Sequence, residues 1–365
     1  MKLNFNLPLN STSFGQTSVM ILRTLFDEIK SNKYNDNDFS VSPLGQTDLR
    51  TQDLPQDFVL WLNRKIELFT ENHDRRTPTF KLWHLNGGLD SVSEKQTLLS
   101  FYELDEPTRS EINAVKNNKT LFSSSFSIEN FASKGASSSF LHLGFDDYNF
   151  KKTNKNYFGN ERITFNLCGK FEKRKHHNKI IKAWIKKYGN NPRYSLQCAV
   201  YNPFLNEEQN QQILNHAVEG NKPFNVNFFP MMNENSVYND YLNSADIIIG
   251  MSGGEGFGLP EFQSVAIGKH AVLLKAHAYE DWATDEMVTW VKPSGKIPVY
   301  DGMFFQPNQP YNQGNIYDFD EEDFITACEE AISKAEKNKV NEKGLELQTI
   351  FSKEKFLDNV LSLLA

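Results

Sequence analysis

The chain has 365 residues, 39% hydrophobic and 13% aromatic, with a formal net charge of −7. That is long for one domain and comfortable for two with packed cores. No run of about 18 apolar residues occurs, which excludes a membrane-spanning helix, and the acidic balance argues against an undifferentiated nucleic-acid binder.

The start of the chain, Met-Lys-Leu-Asn-Phe-Asn-Leu, alternates as a strand does rather than as a signal peptide. A strand over residues 2–7 is expected to run through a polar stretch, Asn10-Ser-Thr-Ser-Phe-Gly-Gln-Thr, into a helix over 19–30 carrying Ile21, Leu22, Leu25 and Phe26 at helical spacing. Residues 31–55 read as irregular, with a short strand at 39–41. A helix follows over 57–69, then strands over 79–85 and 97–102. The first of these ends in His84-Leu-Asn-Gly-Gly and the second at Glu103. In a parallel sheet such carboxyl-end residues face the ligand crevice. A strand at 120–123 and a helix at 126–134 precede Phe140-Leu-His-Leu-Gly-Phe-Asp-Asp-Tyr-Asn-Phe150 and a charged linker from Lys151, so a domain boundary is placed near residue 155.

The second half opens with a strand over 163–168, the segment Gly169-Lys-Phe-Glu-Lys-Arg-Lys-His-His and a helix through Lys187. Between Lys151 and Lys187 twelve Lys or Arg face two Glu, so one cationic sector sits on an otherwise acidic body and suggests a localised anion site. His176 and His177 are adjacent on a helix and do not converge on a metal. Strands at 195–200 and 225–229 and helices at 207–217 and 236–245 lead to the organising stretch. Here the apolar run Ile247 to Ile249 reads as a buried strand, and a loop with five glycines from Gly250 to Gly258 contains one carboxylate, Glu255. A helix then starts at Pro260, turns Phe262, Val265 and Ala266 inward, and stops at Gly268. Strand, glycine loop and helix N-terminus together point backbone N–H groups at an anion. Glu255 would repel a phosphate, and fits better as an acceptor for sugar hydroxyls beside one. A strand at 271–275 and helices at 321–337 and 353–364 complete the chain. Cys168, Cys198 and Cys328 are few and widely spaced, which suits a reducing cytoplasm (that of a host, were the chain viral) and shows no zinc pattern.

The wording Glu-Gly-Phe-Gly-Leu-Pro from Glu255 resembles the donor-binding signature of the retaining family 4 glycosyltransferases of the GT-B fold, some of them phage enzymes. The resemblance is strong over 160–275 and loose before 150. It implies an α/β fold of two Rossmann-like domains facing each other across a cleft: residues 1–155 bind the acceptor, residues 156–350 bind the nucleotide sugar, and 351–365 form a helix that crosses back. In that family a second glutamate stands eight residues after the first; here the position holds Gln263, which would contact the nucleotide ribose with one acceptor and one donor group instead of a carboxylate. By the same resemblance Glu255, Gly254, Gly256, Phe257, Gly258 and Leu259 hold the donor sugar and its phosphates. Lys170 takes the place of the family's phosphate-binding arginine, and Lys175, with Arg174 beside it, that of its lysine. Gly15 and Gln16 fall at the acceptor-side loop, and Glu103 and His84 at sugar-contacting strand ends.

The reaction implied is transfer of a sugar from a nucleotide sugar, UDP- or GDP-linked, with retention and without a metal or other cofactor, cationic side chains neutralising the leaving diphosphate. The acceptor is either a glycan or glycolipid, or a hydroxymethylated base in DNA. Two other readings compete: a non-catalytic nucleotide-sugar-binding shell, which Gln263 favours, and a nucleotide-sugar epimerase on the same fold, which needs acid/base carboxylates that the sequence does not locate.

Overall fold

The computed structural model describes residues 2–50, 52–153, 162–221, 223–232 and 234–364. Two parallel six-stranded sheets form its body. The first contains β1 (Leu3–Pro8), β2 (Phe39–Leu44), β3 (Thr79–Leu82), β4 (Gln96–Ser100), β5 (Lys119–Phe122) and β6 (Ser139–Phe140) in the order β2-β1-β3-β4-β5-β6. The second contains β7 (Ile163–Cys168), β8 (Tyr194–Ala199), β9 (Val226–Phe228), β10 (Ile247–Gly250), β11 (His270–Leu274) and β12 (Thr289–Val291) in the order β12-β11-β10-β7-β8-β9. Both are doubly wound. Their topological switch points, where a ligand crevice opens beyond the strand ends, lie between β1 and β3 and between β7 and β10.

Burial on both faces explains the composition of the central strands. Every residue of β7, Ile-Thr-Phe-Asn-Leu-Cys, is buried, as is every residue of β10, and Ile247 pairs with Phe165. Asn166 survives there because its amide donates to Tyr241 O at 2.8 Å. The expected boundary near 155 lies outside the described residues. The returning helix is seen directly: Lys353–Leu364 packs on helix Ser13–Lys30. Phe145 N donates to Phe351 O at 2.6 Å, and Lys33 and Tyr34 both bond Asp358. One apolar core therefore runs from Phe5 and Leu22 of the first sheet's layer through Phe145 to Phe262 and Leu357. Among the described residues no helix is long and apolar enough to cross a membrane.

Two expectations are corrected. The first helix begins at Ser13, not near 19. Thr17 and Ser18 look like loop residues, but their hydroxyls donate back to the carbonyls of Ser13 and Phe14, which lets them be buried in the first turns. Gly15 thus sits in a helix rather than in a strand–helix loop, and a Cβ there would lie 2.0 Å from Asn10 O. Second, the stretch between 276 and 320, for which the sequence suggested no elements, carries β12 and an antiparallel hairpin, β13 (Pro293–Pro298) and β14 (Asn315–Phe319).

That hairpin leaves the second sheet and docks into the first half. Its Val299, Phe305 and Ile316 join Leu85, Tyr102, Leu104 and Phe131 in a third apolar core. Asp105 accepts from Lys296 Nζ at 2.8 Å and from Asn315 N at 2.7 Å; Thr108 donates to Pro310 O at 2.6 Å. On its other flank Tyr317 N donates to Gly253 O at 2.9 Å. A side chain at Gly253 would place Cβ 2.2 Å from Tyr317 O, a clash with backbone that no rotamer relieves. Gly253→Ala is therefore expected to destabilise the fold by about 1–3 kcal/mol or more, read as a lowered urea midpoint; an unchanged midpoint would show that β14 is not seated on this loop.

Candidate active site

The cationic loop and the glycine loop leave adjacent strands, β7 and β10, at the switch point of the second sheet. Gly169, at φ +104°, turns the chain after β7 and lets the Lys175 stem lie 3.4 Å from where its Cβ would stand. Gly253 N donates to Arg174 O at 2.7 Å and the Ser252 hydroxyl to the same oxygen at 3.2 Å. The two loops are thus bonded to one another along their backbones.

Their side chains form a buried ionic cluster. Arg174 spreads its guanidinium over three carboxylates: Nη2 to Glu103 Oε1 at 2.9 Å, Nε to Glu172 Oε1 at 2.8 Å and Nη1 to Glu255 Oε1 at 2.9 Å. Nη1 also donates to Gly254 O at 2.6 Å. Lys175 donates to the same Glu255 oxygen. Lys170 lies one step outward, its Nζ 2.9 Å from Glu172 Oε2 and 4.0 Å from the centre of the Phe304 ring. Glu103 comes from the end of β4, so the cluster spans both halves of the molecule.

Burial alone opposes every charge here, and the pairing decides which carboxylates keep theirs. Burial works against ionised Glu255, but Lys175 and Arg174 outweigh it and hold this carboxyl down at about 2. Glu103 is pushed up to about 7 by burial, with Glu255 and Glu172 adding to the push and Arg174 opposing it. Glu261, in the first turn of helix Leu259–Ala266, is likewise raised to about 7 by burial against the pull of Lys175. At neutral pH Glu255 is thus firmly ionised between two cations, while burial favours the protonated forms of Glu103 and Glu261 beside it.

One imidazole holds the glycine loop and another holds β14 beside it. His277 Nε2 lies 2.8 Å from Ser252 O, and His176 Nε2 lies 2.7 Å from Tyr317 O. Burial keeps both neutral, His277 at about 4, so each donates to its carbonyl through Nε2–H. The glycines meet the opposite half at van der Waals distance or less: a Cβ at Gly254 would stand 2.4 Å from Glu103 O, and one at Gly256 2.5 Å from Phe101 Cβ. Gly258, at φ +85°, starts the helix, and Phe257 O accepts from Trp282 Nε1 at 3.0 Å. Leu259 is half-buried at the helix start.

The other expected residues lie around this cluster. Gln263 is buried on the same helix as Glu261, but roughly 200° around the axis from it, so Glu261 is the one turned toward Lys175. His84 packs against Phe14, the rings tilted by 52° with centres 4.4 Å apart. It keeps an exposed edge in a recess whose desolvation, and then the charge of Lys170, hold its pKa below the usual value. Gln16 reaches across the molecule to Asn235 Oδ1 at 3.3 Å; Gly15 serves the helix turn and stands apart from the cluster. Glu172, Glu261, His277 and Tyr317 are part of the site and escaped the sequence reading. Glu172 was legible as one of two acids inside the cationic sector. Glu261 reads in sequence as a charge favouring a helix N-terminus, and the other two lie far along the chain.

No family model matches this sequence, and no curated protein matches it. Solved structures do. A sucrose-phosphate synthase from Thermosynechococcus elongatus superposes with a TM-score of 0.68 at 11% identity, covering 100% of this chain and 98% of the other. The fold is GT-B. Anabaena HepE in complex with UDP-glucose matches at TM-score 0.64 and 13% identity over the whole of both chains. WaaG, a glycosyltransferase of lipopolysaccharide biosynthesis, matches at 0.63 and 10%, over 100% of this chain and 99% of its own. The GT-B likeness thus extends from end to end, including the half before residue 150 where the sequence motifs are weakest.

Because Glu103 and Glu261 bind protons more tightly in the folded chain than at their ordinary value near 4.5, folding takes up protons between about pH 4.5 and 7. Stability from these groups is fully present below that window and lost as pH rises through about 7. The buried histidines His176 and His277, held neutral in the fold, work the other way below about pH 6.5, so the test is a difference: wild type is expected to gain melting temperature relative to the double variant Glu103→Gln, Glu261→Gln as pH falls from 8 to 5.5. An equally steep profile in the variant would place the responsible groups elsewhere.

Proposed function

We propose that the protein is a glycosyltransferase that moves a sugar from a nucleotide sugar to a hydroxyl acceptor. The observation that carries this reading is the meeting of Arg174 and Lys175 with Glu255 at the switch point of the second sheet. A GT-B fold uses that place for a diphosphate, and the UDP-glucose bound to HepE supports a UDP-sugar as donor. The proposed division of labour has residues 156–350 holding the donor, residues 1–155 the acceptor and 351–365 joining the second half back to the first.

In this proposal the donor exchanges a counter-ion. Glu255 Oε1 now occupies the position between Arg174 and Lys175; a diphosphate oxygen takes it over, assisted by Lys170 and by the amides of Gly256, Phe257, Gly258 and Leu259 at the helix start. Freed Glu255 then accepts hydroxyls of the donor sugar, with Gly254 allowing close approach, and Gln263 contacts the ribose. As the bond from the anomeric carbon to the diphosphate breaks, charge develops on the leaving oxygen, and two fixed cations lie where it does so, without a metal. Glu103 and His84, across the cleft with Gln16 and Gly15 behind them, orient the acceptor hydroxyl. In this proposal the acceptor hydroxyl attacks on the face the diphosphate leaves, which retains the anomeric configuration. For the acceptor, the balance of charge in the cleft favours a glycan or glycolipid over modified DNA: Glu103, Glu172, Glu255 and Glu261 gather there, and Lys170, Arg174 and Lys175 are each already paired with a carboxylate. The cytoplasm, with its nucleotide-sugar pool, is the proposed compartment.

A second reading, a shell that binds a nucleotide sugar without transferring it, draws on the covered glycine loop and on Gln263. Slow hydrolysis of UDP-glucose with release of UDP separates the two, since the shell releases none. Arg174→Lys keeps one charge but loses the three-way fork, and it and Glu255→Gln are each expected to lower turnover by 10²- to 10³-fold, about 2.7–4 kcal/mol. Wild-type rates in both variants would end the assignment. UDP-glucose affinity, measured by calorimetry, is expected to fall as pH rises through about 7, where Glu103 and Glu261 ionise. The donor's own phosphates do not titrate there, so a flat profile would place the diphosphate away from these carboxyls.

A further inference from the structure

Of the three cations at the site, Lys170 is the least enclosed: its side chain is 28% exposed, against 10% for Arg174 and 8% for Lys175. Its carboxylate partner, Glu172 at 2.9 Å, also lies within ion-pair distance of Arg174. A partly exposed pair of that kind does little to fix a lysine, whose charge sits at the end of a flexible four-carbon stem. The ammonium has a second set of neighbours. Its Nζ stands 4.0 Å from the centre of the Phe304 ring and 5.1 Å from that of Phe204, both within reach of a cation–π attraction. The two rings meet each other edge-on, centres 5.3 Å apart and planes at 71°.

These neighbours come from three loops. Lys170 follows β7, Phe204 follows β8, and Phe304 sits at the tip of the hairpin between β13 and β14. The tip is held from within and from without. Asp301 Oδ1 accepts from the backbone N–H groups of Met303, Phe304 and Phe305, each at 2.9 Å, and Lys173 of the cationic loop donates to Tyr300 O at 3.0 Å. Phe304 also packs against the third apolar core, so its place is set independently of the lysine. Phe204, 68% exposed, is too open for core burial to account for its position; the contacts that place it are the Phe304 ring and the ammonium. The charge so held is felt across the cleft, where, after desolvation, it lowers the pKa of His84.

We propose that Phe304, with Phe204 behind it, is a positioning residue for donor binding: the two rings hold the Lys170 ammonium at the cleft rim, so that the hairpin sets the place of a cation that meets the diphosphate. The consequence for the donor rests on the glycosyltransferase reading; the aromatic cage itself does not. A ring restrains an ammonium without neutralising it, which a second carboxylate would do. A lysine restrained before the ligand arrives loses less freedom on binding. Docking of the hairpin on the first half of the molecule is thereby passed on to a cation of the second.

The test joins NMR of the full chain, its lysines labelled with carbon-13, to calorimetry with UDP-glucose. The Lys170 Hε–Cε signal, identified by its loss in Lys170→Met, is expected to be shifted upfield by the rings in the ligand-free protein and to return to the bulk lysine position in Phe304→Leu. Phe304→Leu is expected to weaken UDP-glucose binding about three- to tenfold, whereas Phe304→Tyr, which restores a ring, stays within about twofold of wild type. In a Lys170→Met background the same Phe304→Leu change is expected to cost less than about twofold, because the cation it acts through is gone. Phe204→Leu, at a position too exposed to disturb the fold, is expected to weaken binding about twofold and to lose that effect in Lys170→Met, which separates the cage from any loosening of the hairpin. An unshifted Lys170 signal in wild type would overturn the proposal, as would a Phe304→Leu loss of equal size with and without Lys170, or no loss at all. Failure of wild type to bind UDP-glucose would instead count against the donor reading, and the Lys170 signal would still decide whether the cage exists.

Discussion

Arg174 is the hinge of the electrostatics. A guanidinium removed from water is tolerable only when its charge is matched, and here one planar group lies within ion-pair distance of carboxylates from three segments, Glu103 beyond β4, Glu172 beyond β7 and Glu255 beyond β10. Lys175 closes the arrangement on Glu255. Taking away Arg174 withdraws a cation from all three carboxylates at once, and breaking a buried pair from one side costs about 3–5 kcal/mol. Charge matching therefore ties the first half of the molecule to the second at the switch point of the second sheet.

The hairpin adds a mechanical constraint to the electrical one. Its apolar residues complete a core in the first half, while its second strand lies along the glycine loop through Tyr317 and Gly253. The glycines accordingly have two jobs. Those at 253, 254 and 256 admit the close approach of backbone from β14 and from the end of β4, while Gly258 supplies the left-handed turn that begins the helix. A carboxylate on Glu255 holds the cations in register without a ligand, and in the proposed reaction it yields that position to the donor.

Much of the fold was legible because burial leaves periodic marks. The run Ile247 to Ile249, the strand at 163–168 and the inward face Phe262, Val265 and Ala266 all follow from the rule that buried strands and helices carry uninterrupted or helically spaced apolar residues. The first helix was misjudged at its start, since Thr17 and Ser18 satisfy their hydroxyls within the turn, and polarity then ceases to report exposure. The hairpin was invisible for a related reason. Lys296, Tyr317 and Asp318 read as solvent-facing residues, and their partners, Asp105 and Lys179, lie more than a hundred residues away in the chain.

What the chain's order of residues determined is the local chemistry: a cationic loop after one buried strand, a glycine loop with a single carboxylate after another, and a helix with its start at Pro260. Parallel strands and loop lengths follow from such local rules. Only the tertiary structure decided that the two loops would bond to each other, that Glu103, Glu172 and Glu261 would join them, and that Glu261 instead of Gln263 would face Lys175. The physical reason is that charge pairing in a buried site depends on distance and desolvation, and both are set by how sheets and hairpin pack, which no stretch of sequence carries by itself.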